Sequence, residues 1–145
     1  MQSWMVFDFL ITNTHVYALY ERLPFGRTPQ NNYASFTYVI PVLLREDADE
    51  RHVLRIELRN RSEAVWSVGG KEVFKVSEIG RRLPEMEMAL DHGGDEEIVR
   101  PMQLAPGFGR FTLVDAKING AELAAADKEL FGQDIEMEVF KLRIY

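Results

Sequence analysis

The sequence contains no cysteine. Disulfides, thiolate metal centres and cysteine nucleophiles are excluded at once. Positive charge is short as well: 17 lysines and arginines against 23 aspartates and glutamates leave a formal net charge of −6. A field of that sign repels phosphate backbones, so nucleic acid is a disfavoured partner. Long apolar runs are missing too. No stretch approaches the ~20 residues a membrane-spanning helix needs, which argues against a membrane span. The run from Met1 to Ile11 is apolar, yet it has no basic region, carries Asp8 and is followed by no small-residue cleavage site. It reads as a strand rather than a leader, and a cytoplasmic chain is the resulting expectation.

Histidine is scarce. His15, His52 and His92 stand far apart in the chain, with none at the close spacing that builds a local metal motif. Nucleophile and phosphate motifs also fail. Val65 holds the place of the first glycine in an elbow around Ser67, and Thr112 stands where the third glycine of a loop beginning Gly107-Phe108-Gly109 belongs. These absences weigh against an enzyme and call for no cofactor.

What is present is a foldable chain. It has 145 residues, of which 46% are hydrophobic, enough for a core without metals or disulfides. No repeat or linker divides it, so one domain over residues 1–145 is expected. Period-two alternation dominates. Met5, Phe7, Phe9 and Ile11 share one face. Phe36, Tyr38, Ile40, Val42 and Leu44 share another, and Pro41 among them requires an edge or a bend. Leu54, Ile56 and Leu58 alternate with charged residues, as Met86, Met88 and Leu90 alternate with Glu87 and Ala89. The apolar face changes phase at Leu113-Val114 and again near Val139-Phe140, as it does at bulges and bends.

Gly69-Gly70 is the strongest two-residue hairpin signal. Asn119-Gly120 also favours a hairpin, but Ala121 to Phe131 are strong helix formers and Gly132 suits a C-terminal cap, so one short helix is expected there. Many short strands separated by turn signals predict an all-β, antiparallel β-sandwich, immunoglobulin-like or jelly-roll-like, with a β-barrel as the alternative. Leu54 to Trp66 runs as a strand, an Asn60-Arg61-Ser62 corner and an aromatic strand. With Leu104-Ala105-Pro106-Gly107 before a later strand, this resembles immunoglobulin-like modules, although the paired cysteines of such domains are lacking.

Two stretches are candidate sites. The loop at residues 23–33 is long for a compact domain, and its Phe25, Arg27 and Tyr33 are residue types enriched at interface anchors. The cluster from Asp91 to Glu97 is the densest polar segment. Asp91, His92 and Asp95 are its weak metal candidates, because hard cations want several oxygens. The expected function is therefore a non-catalytic interaction or structural module, an adaptor or subunit. It would bind a protein partner or itself through loop 23–33 and exposed strand edges. The alternative is a carbohydrate- or metal-binding, or small hydrolytic, β domain around His92 and neighbouring carboxylates. Trp4 and Trp66, each inside an apolar segment, are expected in the core.

Overall fold

The computed structural model describes residues 3–107, together with the backbone of two short strands beyond them. The described chain is mostly antiparallel β-structure. Strands β1 (Met5–Ile11), β2 (His15–Arg22), β3 (Phe36–Leu44) and β7 (Leu90–Asp91) form one sheet in the order β1-β2-β3-β7. Strands β4 (Leu54–Arg59), β5 (Glu63–Val68) and β6 (Lys71–Val76) form a second in chain order. Among the described residues neither sheet closes into a barrel, and the helical content is a single 3-10 turn, Pro24–Gly26.

The alternation explains the packing. On β2, Ala18 and Tyr20 face one side while Tyr17 and Leu19 face the other, and all four are buried. The first pair joins Phe36, Tyr38, Ala64, Trp66 and Val76 in one cluster, so the two sheets share a core. The second pair joins Val39 and Ala89 on the opposite face. Trp66 is fully buried against Phe7 and Phe74, and its indole N–H donates to the carbonyl of Asp8 at 2.8 Å. One side chain thereby ties β5 to β1 and fills the space between the sheets, as expected from its apolar strand. Tyr20 and Tyr38 use their phenols in parallel. Each accepts a backbone N–H and donates to a carbonyl in segment 80–83, through Gly80 and Arg81 for Tyr20 and Leu83 for Tyr38. Burial pushes both phenols above the usual tyrosine range, so they remain protonated donors.

Turn chemistry sets the hairpins. Gly69 and Gly70 both have positive φ, 58° and 84°, which suits the turn between β5 and β6. Asn60 and Arg61 also take positive φ, 50° and 57°, and Ser62 N–H closes on the Arg59 carbonyl at 3.1 Å. The Asn60-Arg61-Ser62 interruption is thus a tight hairpin between β4 and β5. Pro41 sits at a bulge: the register with β2 slips between Val16 and Tyr17, so that Tyr17 faces Pro41 and Val16 faces Leu43. A residue without an N–H is accommodated where the ladder is already broken.

Two expectations change. The Met86–Leu90 alternation yields a strand only at Leu90–Asp91, because Pro84 and Glu85, with φ of 63°, break the run ahead of it. The helix expected from Ala121 does not begin there. Lys117–Ile118 (β8) and Ala121–Glu122 (β9) pair as antiparallel strands across Asn119-Gly120. At Ala121 and Glu122 strand pairing stands where the helix was expected to start. The rest of that helix, and the phase changes at Leu113-Val114 and Val139-Phe140, lie outside the described residues. No helix among the described residues is long and apolar enough to cross a membrane.

Candidate functional site

The two stretches singled out in the sequence meet at one end of the first sheet. Loop 23–33 leaves β2 and returns toward β3. Segment 91–97 leaves β7 and runs beside it. Ser35 N–H donates to the Gly93 carbonyl at 3.0 Å, Ala34 N–H to Asp95 at 2.7 Å, and Asp95 N–H to Asn32 at 2.8 Å. Tyr33 and Asp95 form an isolated parallel bridge. Gly94 makes this approach possible. Its φ is +100°, and a Cβ there would stand 2.2 Å from the Tyr33 carbonyl oxygen.

Each predicted anchor has a distinct fate. Phe25 is 72% exposed, with its ring in an edge-to-face contact with Trp4 at 5.9 Å. Trp4 is thus half-buried at the loop rather than in the core, and its own backbone takes φ of 55°. Gly26 lies under the indole, where a Cβ would meet Trp4 Nε1 at 2.0 Å. Arg27 is a clamp. Its Nε donates to Asn32 Oδ1 at 3.1 Å and its Nη1 to the His92 carbonyl at 2.8 Å, joining the loop to the second stretch. Tyr33 is buried. It accepts from Gly26 N–H at 3.0 Å and donates to the Leu23 carbonyl at 2.8 Å, closing the loop from inside. Tyr33 therefore shapes the loop from inside.

Beneath Tyr33 lies a residue the sequence reading passed over. Arg22 is 3% exposed, its guanidinium 4.0 Å from the Tyr33 ring centre, and its Nη2 is paired with Glu97. Its signal was parity: Arg22 continues the inward positions Val16, Ala18 and Tyr20 of β2. The aromatic face and the carboxylate offset part of the cost of a charge taken out of water, while Nε and Nη1 are buried without a hydrogen-bond partner among the described residues.

Arg82 performs a similar task from outside. Its Nη2 meets Asp91 Oδ1 at 2.7 Å, and its backbone N–H donates to Glu96 at 3.2 Å. The hydrogen bond from Arg82, with a second from Gly93 N–H, holds the Asp91 carboxyl below the usual aspartate range. The carboxylate proposed for metal binding is thus already engaged. His92 is exposed and contributes through its backbone, its N–H donating to Ser35 at 2.9 Å. Among the described residues no group of three or more His, Asp or Glu is placed to hold a metal ion. His15 contacts Thr14 Oγ1 at 2.9 Å, and His52 stands 3.7 Å from Glu50.

Between the two stretches lies a recess of about 210 Å³, lined by Gln30, Asn31, Asn32, Tyr33, Asp95, Glu96 and Glu97. Amide and carboxylate groups face it, and Phe25 stands on the same loop. The arrangement can hold polar or cationic groups and one apolar contact.

Two antiparallel sheets with this loop-built surface define a β-rich domain, and the chain belongs to the Family of unknown function (DUF6081), whose model matches residues 1–145. It is similar to Uncharacterized protein L829 of Acanthamoeba polyphaga mimivirus, with 30% identity over 170 aligned residues covering 80% of this chain and 39% of that protein. The chain thus spans less than half the length of that relative. No solved structure matches it.

Proposed function

We propose that the chain is a non-catalytic interaction module, an adaptor or subunit, built as a β-sandwich of the immunoglobulin-like or jelly-roll-like kind. The sandwich reading is supported by the core that the two sheets share. The binding reading is carried by one observation: Phe25 is 72% exposed on a loop that Tyr33 and Arg27 hold in place. An exposed aromatic ring on an ordered loop loses little entropy on binding, which is what interface anchors need. The recess beside it is lined by amides and by Asp95, Glu96 and Glu97, of which Glu97 and Glu96 already meet Arg22 and Arg82, and it favours a polar protein surface over nucleic acid. The outer edges of β4 and β6, which no described strand covers, provide a second means of contact.

The test compares immobilised wild-type chain with Phe25→Ala in extract from the cells that make it. The reading expects a partner retained by wild type and lost from Phe25→Ala, with the two proteins giving the same circular dichroism. A partner retained equally by both, or none above an empty column, would contradict it. Thermal shift with calcium, zinc and simple glycans separates the alternative ligand-binding reading, which requires a shift that Phe25→Ala leaves intact.

A further inference from the structure

The outer edge of β1 has an unusual seal. Thr12 N–H donates to the His15 carbonyl and Leu23 N–H to the Trp4 carbonyl, and the register between them is unbroken. In an antiparallel pair the bonded positions alternate. Residues 4, 6, 8, 10 and 12 therefore bond to β2, and Met5, Phe7, Phe9 and Ile11 turn their backbone groups outward. No described strand pairs with that side. Burial agrees: β2 is buried at five consecutive positions, whereas no residue of β1 is fully buried. One outward group is nonetheless occupied. Phe9 N–H donates to Asp8 Oδ1 at 2.8 Å.

The strand reads Met-Val-Phe-Asp-Phe-Leu-Ile, with no proline and Asp8 as its single charge. Without that charge it is a seven-residue apolar segment of high β propensity on an edge that no described strand covers, the pattern that pairs with copies of itself. Asp8 fits its position poorly on other grounds. It stands between Val6 and Leu10 and opposite Leu19, and burial raises its carboxyl above the usual aspartate range. Aspartate is also depleted in strands. A residue this costly to its own strand needs a compensating role.

We infer that Asp8 closes the outer edge of β1 against pairing with a second copy of this chain. The carboxylate acts in two ways. It occupies the Phe9 N–H that an incoming strand would use. It also places like charges near one another in a two-fold β1–β1 pair centred on the strand, which repel across such a ladder. A second copy is the occupant excluded because an antiparallel two-fold pair uses only this one edge. The inference stands apart from the loop-end reading, since Phe25 takes no part in it.

The experiment is sedimentation velocity of the purified chain at neutral pH over a concentration series. Asp8→Val removes both the cap and the charge, and should associate roughly tenfold or more tightly than wild type. Asp8→Asn keeps an acceptor for Phe9 but loses the charge, and should fall between them. Adding Ile11→Pro to Asp8→Val removes an outward N–H without breaking a β1–β2 bond, and should restore wild-type behaviour. An Asp8→Val protein that melts no lower than wild type yet associates no more tightly overturns the inference. So does association that survives Ile11→Pro. Should Asp8→Val fail to fold, Asp8→Asn decides: tighter association supports the seal, and unchanged association overturns it.

Discussion

Replacing Gly94 by alanine should disable the loop-end surface as a unit. At φ of +100° an added Cβ would stand 2.2 Å from the Tyr33 carbonyl oxygen and 2.8 Å from that of Asn32. Both obstacles are backbone, so no side-chain rotation relieves them. The left-handed conformation costs an L-residue roughly 1–2 kcal/mol. Separating the two segments also weakens the bonds from Ser35 to Gly93 and from Ala34 to Asp95, each contributing about 0.5–1.5 kcal/mol. The expected loss is about 3 kcal/mol, a large fraction of the roughly 5–15 kcal/mol that holds a domain together. Urea unfolding followed by tryptophan fluorescence measures it. Hydrogen exchange supplies a local readout, because the amide of Ala34, a fully buried residue, should lose its protection. A loss below about 1 kcal/mol, typical of an ordinary surface change, with Ala34 still protected, would refute the description of this end.

Other perturbations test other parts of the structure. Tyr20→Phe leaves the buried Gly80 N–H and the Arg81 carbonyl without their phenol partner, and should cost about 2 kcal/mol in the same unfolding assay. Trp66→Phe removes the bond to Asp8 and opens a void between the sheets, for a loss of about 2–3 kcal/mol by urea titration. Acid unfolding separates two aspartates. Asp91 is held below its ordinary 3.8 by Arg82, so its contribution is present at neutral pH and is lost as pH falls below 3.8 through its folded value. Asp91→Asn should therefore be the less stable protein at pH 7, with the gap closing only in that acid range. Asp8 is shifted the other way by burial. At dilutions where no association occurs, Asp8→Asn should gain on wild type as pH rises from 3.8 through the raised value.

Much of the fold was legible because alternation records which face is buried. Leu54, Ile56 and Leu58 on β4, the double-glycine hairpin and the interior place of Trp66 all follow from local pattern. Sheet membership was not legible: nothing near Leu90 announces that two residues will pair with Phe36 and Thr37 at the far side of β3. The Asn60-Arg61 turn was legible as a corner but not as a tight hairpin, since arginine rarely takes positive φ. At the candidate site, loop 23–33 and the Asp91–Glu97 cluster were each visible, but their meeting depends on Gly94, whose need for a missing side chain appears only once Tyr33 lies against it. Tyr33 and Phe25 look alike in sequence and divide in the structure, one hydrogen-bonded inward and one exposed, because only Tyr33 carries a hydroxyl that Leu23 and Gly26 can engage.

We propose that the chain meets a protein partner through the loop bearing Phe25. A photoreactive phenylalanine derivative placed at position 25, with the same group at Lys71 beside the Gly69-Gly70 hairpin as control, tests it inside the cells that make the protein. A discrete cross-linked species is expected from position 25 and none from position 71. Equal cross-linking from both positions, or none from position 25, would contradict it.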